Sequence, residues 1–241
     1  RRWNVDPVVK EWESPYATFR NSPVYLFDPD GKDAEVSIKG KTLTISTTIY
    51  VYGSGATKAN AALMQKDIMG AWSKDANGNN WQYTDATTGS TYDVVFDIKV
   101  QQYDASNPSA EPGTFSGKNN PLNTDNYVEI DNQSNRSFVR GGDEGVWRGQ
   151  GRNGAPLSTD DSAPHEFGHI IGLPDQYTNG QGANQGWQGN IMAEPAMQGA
   201  VQQKNINEIV SPLIKGYNSS ATKAVNDNLG TEIEYETKID P

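Results

Sequence analysis

The residues best equipped for chemistry are concentrated in Pro164-His165-Glu166-Phe167-Gly168-His169-Ile170-Ile171-Gly172-Leu173-Pro174-Asp175. The chain has only two histidines, and they stand four positions apart with a glutamate directly after the first. On a helix, residues i and i+4 share a face, so both imidazoles can meet one ion. Glu166 is turned about 100° from His165, which lets it reach a water on that ion without binding the ion itself. A catalytic zinc takes three protein donors and keeps one position open. Asp175 is the nearest candidate for the third donor.

The flanking residues predict a helix over 162–171. Pro164 has no N–H to leave unsatisfied and so belongs in a first turn, with Asp161 or Ser162 capping it. Ile170 and Ile171 give the helix a buried side. Gly172 can adopt the left-handed conformation that ends it, and Pro174 prevents it from resuming. The chain therefore turns sharply after His169, and Asp175 can swing back toward the histidines. A plain loop carboxylate at Asp175 is the competing explanation. Glu194 is the alternative third ligand.

The string HExxHxxGxxD resembles the extended motif of metzincin peptidases, with Asp in place of the usual third His, as in the snapalysin-like branch. Peptidases of the immune-inhibitor-A type carry a similar HExxHxxGLPD string. Asn190-Ile191-Met192-Ala193 looks like the Met-turn of that group, which places Met192 as an apolar floor under the metal. Simple core filling is the other use of a methionine. The resemblance implies a zincin fold, a Zn2+ cofactor held by His165, His169 and Asp175, and Glu166 as general base in a metalloendopeptidase. A downstream Glu is the third ligand in gluzincins, but Glu194 sits beside the Met-turn candidate, which disfavours it. Tyr177 is within reach of an oxyanion role, although an exposed loop tyrosine is the simpler expectation. Asp75, Asn77 and Asn79 lack the glycine and closing glutamate of a calcium loop, which rejects that assignment.

The elements that must position this site are predicted from periodicity. Residues 34–38 and 41–52 alternate as strands, and TLTISTTIYVY is rich in β-branched and aromatic types. Residues 58–72 carry Ala61, Leu63, Met64, Ile68 and Met69 near a helical period, after the capping run Ser54-Gly55-Ala56-Thr57. Strands are predicted over 80–84, 91–103, 127–131 and 137–140, with a long polar loop over 104–126. A last helix is predicted over 198–215, then a polar tail containing a strand-like stretch at 232–235. This order gives an α+β fold: a zincin/metzincin-like twisted mixed sheet, an active-site helix and a C-terminal helical subdomain. An extended substrate would add to a sheet edge near 127–139.

Composition narrows the partners. A formal charge of −10 argues against nucleic acid, which is gripped by clustered Lys and Arg. No apolar run approaches the roughly 20 residues of a membrane span. Cysteine is absent, which removes thiol catalysis, Cys-ligated zinc and disulfides. The chain opens Arg-Arg-Trp without an initiator Met or signal-peptide core, and so reads as an internal or C-terminal fragment.

Residues 1–31 differ in character from the remainder of the chain. Asp6-Pro7, Ser14-Pro15-Tyr16, Asn21-Ser22-Pro23 and Asp28-Pro29-Asp30-Gly31 make a run of turns, with Val24-Tyr25-Leu26-Phe27 a short strand between them. The segment resembles the end of the Rhs/YD-repeat core, where a DPDG-type motif adjoins a variable C-terminal toxin domain. Three parts are therefore predicted: 1–31 as core end and junction, 32–216 as the metallopeptidase domain and 217–241 as a polar tail. The resemblance implies a secreted or exported effector, delivered into a target cell, with a protein or peptide substrate and a cognate immunity protein as partners. The alternatives are a secreted processing or nutritional protease, and a metal-stabilised interaction module without catalysis. An intact Glu166 disfavours the last, since a structural site needs no base and is usually closed by four ligands.

Overall fold

A computed structural model describes residues 34–103, 125–134, 136–140, 144–159, 162–178, 182–193 and 199–227. The junction segment at 1–31, most of the loop at 104–126, the strand-like stretch at 232–235, Asp161 and Glu194 lie outside the described residues.

The alternation seen in the sequence becomes a mixed sheet. Strand β2 (Thr42–Tyr52) buries Leu43, Ile45, Thr47, Ile49 and Val51 along one face. It pairs in parallel with β4 (Thr91–Gln102) along its length. Its other edge is shared: β1 (Glu35–Lys39) runs antiparallel against residues 42–46, and β5 (Asp125–Asp131) runs parallel against 48–52. Beyond β5 comes β7 (Glu144–Arg148) in parallel, then β6 (Phe138–Arg140) antiparallel. Antiparallel β3 (Trp81–Thr84) closes the opposite side. Residues 127–129 are thus interior, paired with β2 on one side and β7 on the other, so a substrate cannot add there. The outermost strand on that flank is β6.

Helix α1 (Lys58–Trp72) starts where Thr57 accepts a hydrogen bond from the Asn60 N–H at 3.1 Å. Ala61, Met64, Ile68 and Trp72 fall three or four apart, form one apolar stripe, and are buried. That stripe covers β4, and α1 in turn packs against the site helix α2 (Ala163–Ile170). Trp72 is the shared contact. Its ring meets Phe96 of β4 and Phe167 of α2 edge-on, at 5.9 and 5.5 Å between centroids. Its indole N–H donates to the Pro164 carbonyl at 2.8 Å. One hydrophobic cluster runs from Val36 to Ile214, spanning most of residues 32–216.

Several boundaries differ from those predicted. β7 is not foreseen by periodicity, because Gly145 interrupts a strand with only Val146 and Trp147 as apolar residues. The last helix, α3 (Gln203–Asp227), begins later than predicted and runs through Gly216 into the expected tail. The loop at 75–79 is an Asx turn, in which the Asp75 carboxylate accepts the N–H groups of Asn77 and Asn79. No described helix is long and apolar enough to cross a membrane.

Because Trp72 joins helix, sheet and site helix, Trp72→Ala should cost about 3–5 kcal/mol of stability. Urea unfolding measures this; a loss under about 1 kcal/mol would show that Trp72 does not anchor the site helix.

Candidate metal centre

Helix α2 is short and almost wholly enclosed: Ala163 through Gly168 and Ile170 are buried, with His169 half-exposed. Pro164 lies in its first turn, as its missing N–H requires. Ser162 takes the N-cap position without capping through its side chain. Its hydroxyl instead pairs with that of Ser137, just before β6, and ties the head of the helix to the outermost strand. Gly172 follows the helix with φ of 89°, the left-handed conformation predicted for the bend. The chain turns back, and the Leu173 N–H donates to the Gly168 carbonyl at 2.9 Å.

That bend brings Asp175 to the histidines. Its Oδ1 lies 3.3 Å from Nε2 of His165 and 3.3 Å from Nε2 of His169. The other nitrogen of each ring is occupied. His165 Nδ1 is 2.7 Å from the Ile191 carbonyl, and His169 Nδ1 is 2.8 Å from the Leu173 carbonyl. A carbonyl can only accept, so each Nδ1 carries the proton and donates. When the rings are neutral, both Nε2 lone pairs face Asp175.

Three donors from His165, His169 and Asp175 therefore converge and could hold a metal ion. Tetrahedral donors bonded to a small divalent cation at about 2.0–2.2 Å stand about 3.3–3.6 Å apart, which the two Asp175 separations match. The charges agree. Burial alone would raise the Asp175 carboxyl, but hydrogen bonds to the two histidines outweigh it and hold it well below the usual carboxylate range. Burial disfavours a charged His169, yet the Asp175 hydrogen bond and the Leu173 carbonyl push its affinity for protons up. A cation is what this cluster favours, whether a proton or a metal.

Glu166 lies beside the triad and outside it. It is 5% exposed, and its Oε2 has no hydrogen-bond partner among the described residues. Burial pushes its carboxyl above the ordinary glutamate range, and the nearby His165 and His169 pull it partly back. A buried carboxylate oxygen without a protein partner is costly unless a ligand or water satisfies it.

Met192 is fully buried directly beneath the helix. A Cβ on Gly168 would fall 2.3 Å from its Sδ and 3.3 Å from Cζ2 of Trp72, so any larger residue there must displace the Met192 side chain. The residues around Met192 form a tight turn, with the Ala193 N–H donating to the Asn190 carbonyl at 3.0 Å. Tyr177 departs from the exposed loop position expected of it: it is half-buried, its ring 6.5 Å from that of His165. Burial and the charge of Asp175 raise its phenol. The carbonyls of Ile191 and Leu173 could not be named from sequence, because any residue supplies a backbone oxygen.

Compared with protein-family models, with curated proteins and with solved structures, the chain finds no match.

Gly168→Ala must displace Met192 or the helix. It should lower stability by about 1–3 kcal/mol and weaken metal binding, read by calorimetry in the same preparation. An unchanged melting temperature and affinity would show that Met192 does not brace the site helix.

Proposed function

We propose that this chain is a zinc-dependent endopeptidase of the metzincin-like type. The observation that carries this is the meeting of two Nε2 atoms and one carboxylate oxygen beside a buried, unpartnered Glu166. Two imidazoles and one carboxylate suit borderline Zn2+ better than calcium or magnesium, which prefer oxygen alone. Three protein ligands leave the fourth position open, as a catalytic site requires.

When bound, zinc supplies Lewis acidity, drawing electron density from a substrate carbonyl and from a water in the open position. The rest falls to the chain. Glu166 takes a proton from the water as its oxygen bonds to the carbonyl carbon. The raised proton affinity that burial gives this carboxyl suits it to accept that proton. It then gives the proton to the amide nitrogen as the C–N bond breaks, and returns to its carboxylate form. Tyr177, beside His165 and Asp175, is placed to donate its O–H toward the developing oxyanion. An extended substrate adds to the sheet at β6, whose approach is joined to the site helix through Ser137 and Ser162.

The turn-rich segment ending in Asp28-Pro29-Asp30-Gly31 supports a further step: the peptidase is the effector domain of an Rhs-type polymorphic toxin. It would be exported, delivered into a target cell, and neutralised at its source by an immunity protein.

Glu166→Gln should keep one zinc per chain, measured by metal analysis, and lose at least about 100-fold in peptide cleavage. Substantial remaining cleavage would overturn the general-base assignment. Asp175→Ala should lose zinc and Glu194→Ala should retain it; the reverse pattern would make Glu194 the third ligand. Expression of wild type, but not of Glu166→Gln, should arrest a susceptible cell. Growth unaffected by an active peptidase in every cell tested would contradict the toxin assignment.

A further inference from the structure

His165 and His169 are oriented by carbonyls of different origin. Leu173, which holds His169, belongs to the bend that ends the same helix. Ile191, which holds His165, is 26 residues away and belongs to the turn at 190–193. The aim of His165 therefore depends on how firmly that turn is held.

Two buried amides hold it. Asn190 and Asn205 are each 0% exposed. Asn190 Nδ2 donates to Asn205 Oδ1 at 2.6 Å, and Asn205 Nδ2 donates back to Asn190 Oδ1 at 3.2 Å. Each oxygen also takes a backbone donor. Asn190 Oδ1 accepts the Met192 N–H at 2.9 Å, which brackets Ile191 between the two ends of that hydrogen bond. Asn205 Oδ1 accepts the Gln202 N–H at 2.9 Å, the reach-back of a third helical residue to the N-cap. All four side-chain polar atoms are satisfied, so the pair costs little to bury and is rigid in two directions.

We propose that the Asn190–Asn205 amide pair is a positioning device for His165. It clamps the turn at 190–193 to the start of α3, so that the Ile191 carbonyl fixes His165 as the Nδ1–H tautomer with Nε2 aimed at the metal position. The inference rests on the assignment of His165 as a metal ligand. It predicts an asymmetry between the histidines, because His169 has an anchor of its own that the amide pair does not touch. A purely structural role in stability would affect both rings alike.

The test is long-range nitrogen NMR of both imidazoles in the metal-free protein, paired with zinc affinity from chelator competition. In Asn205→Ala, His165 should lose its single Nδ1–H signature and mix tautomers, while His169 keeps its own. Zinc affinity should fall about 10–100-fold, the usual consequence of removing an outer partner of a ligand. Asn205→Asp in its neutral acid form, measured at a pH low enough to protonate the buried carboxyl, keeps the acceptor for Asn190 Nδ2 and the Gln202 N–H and supplies an O–H donor to Asn190 Oδ1, and should restore the His165 signature. If Asn205→Ala does not fold, Asn205→Ser, too short to serve both donors, carries the same comparison. An unchanged His165 in a folded variant, or equal disturbance of both rings, would overturn the proposal. Wild type that binds no zinc would instead defeat the metal-site assignment, whatever the tautomers do.

Discussion

Two hydrogen bonds to backbone carbonyls decide which way the imidazoles of His165 and His169 face. A histidine on a helix can present either nitrogen, and an uncommitted ring offers a metal only part of its population in the right form. Tying both Nδ1 atoms to carbonyls removes that freedom before any ion arrives. The remaining lone pairs point to one place, and the bend at Gly172 brings Asp175 Oδ1 there. The cost of gathering a carboxylate and two rings is met by folding and does not fall on the binding step.

The surrounding structure supports this geometry. The helix bearing the histidines has few residues and would not persist alone. It is held from one side by Trp72 and Phe96, whose rings meet its own Phe167, and from beneath by Met192 in the space left by Gly168. Burial that stabilises the helix also removes water from Glu166, so the same packing raises the proton affinity of that carboxyl. Helix stability and the proton affinity of Glu166 are coupled here through one apolar cluster.

Much of the site is legible in the sequence because its chemistry is local. The histidine spacing, Pro164 in the first turn, the glycine bend and the returning aspartate all lie within a dozen residues, where helical geometry alone relates them. The strands at 42–52 and 91–102 are equally readable, since each alternates against a buried face. The features that sequence hides depend on distant partners. The Asn190–Asn205 pair joins two polar residues from segments that read as loop and helix surface, and nothing local marks them as buried. β7 is too short and too glycine-broken to show a period, and α3 passes through Gly216 where a stop is expected. Tyr177 reads as an exposed loop residue until the bend places it beside His165.

The central claim is that three named donors, two of them imidazole nitrogens, share one zinc. X-ray absorption at the zinc edge of protein loaded with one equivalent measures this most directly. The proposal predicts a four-coordinate site with two imidazole ligands and oxygen donors at about 2.0–2.2 Å. A spectrum with no imidazole scattering, or zinc that washes away at micromolar protein, would contradict it.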